Sequence, residues 1–542
     1  MKKVIVTCVV LLGCMSIFST NRYVADAEES GTGLSWSDPK TTISAAINAA
    51  AAGDTIFVAA GVHEFATPLT LSKAITIMGG YLVEEDVATR PLVENGKPWE
   101  FAYPTILRGL AYTGTGTNTD LKNSRILHIN ADNIELNGLL FEDGGGKHTA
   151  SNELGGAIYS AKLGFNVRNC SFVNNGVTRI DNGSGGLGGA MYLNGAGVVE
   201  NCYFTGNYAD KGASGGGALF LLAKAEQTIT VDNCLFDGNK SNVSGAGIRT
   251  NGATGGNQVY VRNSVFVKNE AKDGDVLKGG AVIYFNGRSG ADESTDVIEN
   301  CLFYNNTGTT IIRLRGGIMR NSTAVNNIGT VQTAGTTVEL YNNLIWGNKT
   351  SADELSSIDF NTGPAIMKNC ASNNIKEDFA GEEHQNILLG ADNIGEDGPH
   401  LRLPTTFVGA GDLSEETPDW RLGAESPLKA AGLTTNAPAT DILGKARTEA
   451  TSSIGAYEYE EIINDGLINP FASSDLRMFV QNKTLYISLI DEVAVQVLSI
   501  NGQVLAQSSY STHHNFSLMR GLYLVSIVDK SGKKFTNKVL VP

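Results

Sequence analysis

One short pattern recurs down the middle of the chain and restricts its fold more than any other feature: Asn-Cys-x-Phe followed by x-x-Asn. It stands at Asn169-Cys170-Ser171-Phe172, Asn201-Cys202-Tyr203-Phe204, Asn233-Cys234-Leu235-Phe236 and Asn300-Cys301-Leu302-Phe303, with Asn263-Ser264-Val265-Phe266 as a variant. Degenerate copies run from Asn137 to Phe141 and through Asn321-Ser322, Asn342-Asn343 and Asn369-Cys370. The copies recur about every 30 residues at uneven spacing, so each is one turn of a coil with loops of variable length. Cys170 and Phe172 are two residues apart; on a strand they share a face, and that face must be the interior. Cys202 and Phe204, Cys234 and Phe236, and Cys301 and Phe303 repeat the arrangement. Asn175, Asn207, Asn239, Asn269 and Asn306, each three after its Phe, fall where the strand must turn. Asn tolerates left-handed backbone, and its amide can bond to the same residue one coil away, which predicts a polar ladder along the corner.

A second motif alternates with the first: Gly155-Gly156-Ala157-Ile158, Gly188-Gly189-Ala190-Met191, Gly216-Gly217-Ala218-Leu219, Gly279-Gly280-Ala281-Val282 and the weaker Gly245-Ala246-Gly247-Ile248. Paired glycines permit a tight bend and close backbone approach before an apolar strand. Neither a Gly-x-Gly-x-x-Gly turn with a following helix nor a Gly-Lys-Ser/Thr ending is present, so these are not phosphate loops. The two motifs together predict an all-β, right-handed parallel β-helix of about a dozen coils between residues 55 and 455, stacked ~4.8 Å apart. Over residues 137 to 330 the pairing of Gly-Gly-Ala-apolar with Phe-x-x-Asn resembles the repeats of bacterial polymorphic outer-membrane proteins. That resemblance implies a surface β-helix with an adhesion-like role.

Composition agrees with a packed solenoid. Glycine is 63 of 542 residues without a three-residue period, which excludes collagen, and 42% hydrophobic with 18% charged residues excludes a disordered chain. The net charge of −15 argues against a nucleic-acid partner. Of the seven cysteines, Cys8 and Cys14 fall in the apolar leader, leaving Cys170, Cys202, Cys234, Cys301 and Cys370. An odd number at matched positions predicts a buried thiol ladder rather than disulfides.

The ends of the chain carry their own signals. Met1-Lys2-Lys3 and the apolar run from Val4 to Gly13 read as a signal peptide over 1–20, cleaved near Ser19 or Thr20, ahead of a first strand at Tyr23-Val24. Leu11-Leu12-Gly13-Cys14 resembles a lipoprotein box in which Leu12 fits poorly. No later segment reaches ~18 uninterrupted apolar residues, so no transmembrane helix is expected. From Thr41 to Ala50, Ile43, Ala46, Ile47 and Ala50 share one helical face, the pattern of a cap over the open end of the coil. The run from Tyr23 to Gly61 resembles the start of many secreted bacterial β-helix proteins, in which Tyr is more usual at His63. Asp419-Trp420-Arg421-Leu422, Glu425-Ser426-Pro427-Leu428 and Ile454-Gly455-Ala456-Tyr457-Glu458 resemble the closing coil of that family, so that 22–459 would form one domain.

After a linker at 460–469 the composition changes. Val493, Val495 and Val497 alternate, Asn501-Gly502 is a hairpin signal, and Tyr523, Val525 and Ile527 alternate again, predicting a small antiparallel sandwich over 470–542. Asn469-Pro470, Val495-Gln496-Val497, Gly521-Leu522-Tyr523 and Lys538-Val539-Leu540-Val541 are similar to the type IX secretion sorting domain. The resemblance implies the secretion machinery as a partner and the cell surface, outer membrane or extracellular space as destination. His513-His514 is expected in an exposed turn.

The chemistry is less legible. No His lies in a zinc spacing, so no metal or other cofactor is expected, although calcium stays open. The stretch between leader and tail carries about 20 net negative charges, which would repel a polyuronate unless calcium or a local basic patch intervened. A carboxylate pair for glycosidase chemistry cannot be read from one sequence, since stacked loops bring distant acids together. Candidate ligand-binding residues are those of the loops between Phe-x-x-Asn and Gly-Gly-Ala, which stack into one ridge: Asp143, Lys147 and His148; Arg179 and Asp181; Asp210 and Lys211; Lys240; Lys272, Asp273 and Asp275. Polar loops bathed in water have the same composition. Arg313 and Arg315 could grip an anion or form a surface charge ladder. The main functional expectation is a surface protein that binds a glycan or a host protein without catalysis; the alternative is a carbohydrate-active enzyme, a lyase or glycoside hydrolase, on the same scaffold.

Overall fold

The structure is a computed structural model that describes residues 19–541 apart from 84–89, 95, 111–123, 146–153, 179–185, 211–214, 252–257, 273–279, 288–295, 336–337, 357, 361–364, 374–382, 386, 390–397, 406–407, 412, 414–417, 449–451, 461–475, 482–483, 500 and 531–533. The leader expected over 1–20 therefore lies almost wholly outside the described residues. The chain divides into two compact units, residues 1–459 and 460–542.

The first unit is a right-handed parallel β-helix. Each coil runs along a first face (from Thr55–Ala59 onward), a second face (from Gly61–Phe65) and a third face (from Leu69–Leu71) before entering the next coil. The second face stacks twelve parallel strands, from Gly61–Phe65 to Leu388–Leu389. Asn21–Val24 adds a first strand, pairing with Thr55–Ala59.

The interior is built as the two-residue spacing requires. Phe141, Phe172, Phe204, Phe236, Phe266 and Phe303 are buried in one column, with ring centroids 4.5 to 4.9 Å apart and planes within 9° of parallel. Coil spacing dictates this stacking, and each aromatic contact adds about 0.5–1.5 kcal/mol beyond burial. The five cysteines are buried free thiols. Burial pushes the Cys301 and Cys370 thiols up to about 12 and those of Cys170 and Cys202 well up, so they stay protonated and behave as small hydrophobes.

The corner after the second face is an asparagine ladder that continues to Asn327 and Asn348. Each Nδ2 donates to Oδ1 of the Asn in the next coil at 2.8 to 3.0 Å. It also donates to a carbonyl of the preceding coil, Phe204 O for Asn239 at 2.9 Å. The backbone N–H of each Asn reaches the same Oδ1 at 2.9 to 3.1 Å. The expectation of left-handed backbone at these residues is not met. The positive φ falls one residue earlier, at Asn174, Gly206, Gly238, Lys268, Asn305, Asn326 and Gly347. Turning the chain before the ladder residue leaves its amide free to point inward.

Both ends differ in how well they follow expectation. The helix Ile43–Ala49 starts at Thr42, whose hydroxyl accepts the Ala45 N–H, and it buries Ile43, Ala46 and Ile47 on the coil. The segment 398–459, by contrast, does not close the coil. It folds back along the outer side of the second face, where Trp420, Leu422, Leu428 and Ile454 pack on Leu302, Val325, Leu344 and Ala371. Those four strand residues are apolar yet point outward, so they need a cover. The segment also binds the Asn-Cys corner: Asn342 Nδ2 donates to Leu433 O at 2.8 Å, and Asn300 Nδ2 to Thr440 O at 2.7 Å.

In the second unit, five antiparallel strands enclose Val493, Val495, Val497, Tyr523, Val525 and Ile527. Gly502, at φ 83°, makes the turn between Thr484–Ser499 and Val504–Ser517. His514 is not in an exposed turn. It lies within Val504–Ser517 and is buried, because strand alternation places it on the same side as Phe516. Among the described residues no helix is long and apolar enough to cross a membrane.

Two expectations follow. Replacing Asn239 by Leu removes the acceptor of the Asn207 backbone N–H and of one Asn207 Nδ2 hydrogen, the other still reaching the Phe172 carbonyl, and removes the amide donor to the Phe204 carbonyl; at ~1–3 kcal/mol per buried unsatisfied group, urea denaturation should show a loss of about 3 kcal/mol or more. Substitution with no measurable loss would contradict the ladder's role. The second concerns Asp54, a buried carboxylate that accepts from Thr20 N and Ala51 N, both at 2.9 Å, and pairs with Arg22 at 3.3 Å. Burial acts to raise its pKa, but the two amides and the guanidinium outweigh it and hold the carboxyl below the usual range. Its stabilising contribution is present above the unfolded pKa of ~4 and is lost as pH falls through the lower folded value. Hydrogen exchange over residues 43–58 should accelerate in that acid window, and Asp54→Asn should abolish that part of the pH dependence while exchanging faster at neutral pH.

Candidate functional site

On the third face the Gly-Gly-Ala turns set up a second, outward-facing set of columns. The first glycine is left-handed, with φ of 68°, 73° and 72° at Gly155, Gly188 and Gly216. The second packs directly under its successor: a Cβ on Gly156 would lie 2.1 Å from the Gly189 carbonyl oxygen, and one on Gly189 2.0 Å from that of Gly217. Two backbone-only contacts thus align consecutive strands. The next apolar residue, Ile158, Met191, Leu219 or Ile248, points inward and is buried. The one after it points out.

Parallel register makes these outward residues a continuous column: Thr70, His128, Tyr159, Tyr192, Phe220, Arg249, Tyr284, Arg313, Gln332 and Asp359. His128 meets Tyr159 edge-on at 5.2 Å; Tyr159 stacks on Tyr192 at 5.5 Å and Tyr192 on Phe220 at 5.3 Å. The Arg249 guanidinium lies 5.9 Å from the Phe220 ring and 5.7 Å from Tyr284, and Arg313 covers the other side of Tyr284 at 5.4 Å. Each desolvated cation–π contact contributes on the order of 1–2 kcal/mol. Arg125 sits 5.2 Å from Tyr159 and donates to the Gly155 and Leu154 carbonyls at 3.0 and 2.6 Å. Burial brings its pKa down to about 10 and lowers that of Arg249. Both remain cationic at neutral pH.

Two residues further along the strands, Asn251, Asn286 and Arg315 form an amide-guanidinium chain. Asn286 Nδ2 donates to Asn251 Oδ1 at 2.9 Å, and Asn286 Oδ1 accepts from Arg315 Nη1 and from the Tyr284 hydroxyl, both at 3.0 Å. Tyr192, Phe220, Tyr284 and Arg313 are buried, whereas Tyr159, Arg249, Asn286 and Arg315 are partly exposed and Asn251 is exposed. The rings form a bed with Arg125 and Arg313 buried in it, while Arg249, Asn251, Asn286 and Arg315 reach solvent. Across these columns and Arg125 the described residues bring four guanidiniums and one imidazole against one carboxylate, Asp359, which accepts from Gln332 at 2.8 Å. This is a basic strip on a strongly acidic body.

The ridge expected from the loops is placed only in part. Lys147, His148, Arg179, Asp181, Lys211, Asp273 and Asp275 lie outside the described residues. Asp143 follows the strand Leu139–Glu142 with φ 54°, half-buried at the corner; burial first and the Glu142 carboxylate second raise its pKa against Arg108. Asp210 ends the strand Tyr208–Asp210, pairing there with Thr178. Lys240 lies 3.3 Å from Glu270, an exposed ion pair between coils worth little. Lys272 is exposed, its backbone N–H bonded to Ser241 O. Arg313 and Arg315 do share a face, and it is the strip. The remaining strip residues were not singled out from sequence, though a signal existed: Tyr159, Tyr192, Phe220 and Arg249 each stand immediately after the four-residue turn motif. Among the described residues no group of three or more His, Cys, Asp or Glu converges to hold a metal ion.

No known family profile matches the sequence, and no curated protein does. Solved structures similar to this chain include pectate lyase Pel9A, at 14% identity and a TM-score of 0.44, with 82% of this chain and 98% of that one covered. A rhamnogalacturonan lyase is 13% identical with a TM-score of 0.39, covering 68% and 87%. An alginate lyase in complex with a trisaccharide is also 13% identical, with a TM-score of 0.34, covering 73% and 93%. At such identities the likeness is one of fold alone, the parallel β-helix.

Proposed function

We propose that the protein binds an acidic polysaccharide laid along the third face, with sugar carboxylates meeting Arg249 and Arg315 and hydroxyls meeting Asn251, Asn286 and the edge of Tyr159. The supporting observation is the local reversal of charge: guanidiniums stacked on an aromatic bed within a body that is otherwise acidic. Such a strip attracts a polyanion without calcium, and the ring stack holds Arg249, and Asn286 holds Arg315, in place before the ligand arrives. A non-catalytic, surface-displayed binder is the simplest form of this reading. The second form is a lyase on the same strip, favoured by Arg249 and Arg313 lying against the Tyr284 ring and by Arg315 sharing the Asn286 Oδ1 acceptor with the Tyr284 hydroxyl. Guanidiniums that neutralise a uronate carboxylate acidify the neighbouring C–H, which is what a β-elimination requires. Residues 470–542 would serve export, as their resemblance to sorting domains implies; deleting them should leave the protein in the periplasm, and normal surface display of the truncation would count against that role.

The binding reading is tested by affinity electrophoresis in polygalacturonate and alginate beside neutral galactan. Retardation should be confined to the acidic gels and weaken with salt. Arg249→Ala with Arg315→Ala should lower affinity at least about tenfold, the scale of one or two charge-assisted contacts. Equal retardation by neutral galactan, or an unaffected double variant, would overturn it. Absorbance of unsaturated products at the same time separates the two forms: none for a binder, steady release for a lyase.

A further inference from the structure

The amide-guanidinium chain of the third face belongs to a longer outward column. Followed toward the N-terminal coils in the same register, Arg315, Asn286 and Asn251 lead to Leu222, Asn194 and Ala161. Asn251 is exposed and the other five are half-buried, so solvent reaches the column along its whole length. From Ala161 to Arg315 it crosses five coil steps, about 24 Å at ~4.8 Å per coil.

The far end of this column holds a cation that its own residues do not supply. Lys224, on the turn after the strand Leu219–Ala223, reaches back across two coils, and its Nζ donates to the Ala161 carbonyl at 2.9 Å. The backbone beneath it is close-packed. Lys224 N donates to Gly195 O at 3.1 Å, and a Cβ on Gly195 would lie 1.9 Å from the Lys162 carbonyl oxygen. Lys224 is exposed, and an ammonium has three donors, so two remain for a ligand. Among the described residues neither Lys224 nor the half-buried Lys162 is in an ion pair, although Asp132 and Glu226 stand in neighbouring turns; Asp132 accepts instead from the Leu163 amide at 2.8 Å. The column thus has a cation at each end, Lys224 and Arg315, with Arg249 beside it in the interval and the amides of Asn194, Asn251 and Asn286 between. A ligand that meets all three cations is linear, carries anionic groups at intervals, and is about as long as the column. A disaccharide can serve only one end of it.

We propose that the strip recognises an internal stretch of a linear polyuronate spanning the column from Lys224 to Arg315, and that Lys224 is the binding residue for the end remote from Arg315. Lys224 extends the acidic-polysaccharide reading given above, on which this assignment rests. The test is isothermal titration calorimetry of the full chain with the dimer and the hexamer of galacturonate and of guluronate. A pyranose ring in an extended chain is about as long as one coil step, so the hexamer covers the column and the dimer does not. In at least one series the hexamer should bind at least about tenfold more tightly than its dimer. Lys224→Ala should weaken the hexamer about three- to tenfold, the scale of one charged contact at a surface, and leave the dimer, held at the Arg249–Arg315 end, unchanged. Lys224→Arg should keep hexamer affinity, and Lys97→Ala, which removes the same charge from an exposed position outside the third face, should alter neither oligomer. Equal affinity for dimer and hexamer, a hexamer insensitive to Lys224→Ala, or an equal loss in Lys97→Ala would overturn the role of Lys224 while leaving the acidic-polysaccharide reading in place. Failure of the unsubstituted protein to bind either hexamer or either polymer would remove that reading and the role of Lys224 with it.

Discussion

Each coil is tied to the next by a buried asparagine amide for which water is not an alternative partner. Because Asn207, Asn239 and their counterparts give and accept bonds in both axial directions, a coil placed one residue out of register would leave several polar groups unmet in the core. That penalty, rather than the broad hydrophobic preference of the interior, selects one register. With register set, the phenylalanines stack, the glycine turns nest, and outward residues some 30 positions apart in sequence become neighbours. The third-face strip is a consequence of that alignment.

The parts of the fold that were legible from sequence are those governed by local periodicity. Alternation places Cys170 and Phe172 inside, helical spacing places Ile43, Ala46 and Ile47 on one face, and the glycine pairs mark the bends. The misreadings occurred where a distant contact decides. A left-handed turn at Asn175 was a reasonable expectation from residue type, but that side chain is required inward for the ladder, so Asn174 takes the turn instead. The 398–459 segment carries apolar residues suited to an end cap, yet the outward-facing Leu302, Val325, Leu344 and Ala371 offer a flank to cover. Arg249 became informative only once Phe220 and Tyr284 were known to lie on either side of it.

Electrostatics gives the strip its character. On a body with an excess of carboxylates, an exposed arginine would normally pair with the nearest acid, as Arg168 does with Glu200 and Arg320 with Glu299 on the first face. On the third face the guanidiniums of Arg125, Arg249 and Arg313 lie against aromatic rings, which take a guanidinium on its flat side. The same chain therefore uses arginine in two ways. Paired with acids it ties coils together across the first face; on the third face it stacks on rings.

The most direct test of this account is an experimental density map of the β-helix at side-chain resolution. Rings of Phe141, Phe172, Phe204, Phe236, Phe266 and Phe303 should form one column with centroids 4.5 to 4.9 Å apart, flanked by an unbroken line of asparagine amides. Rings dispersed among separate pockets, or amides turned to solvent, would contradict the common register on which the strip and every neighbour relation across coils depend.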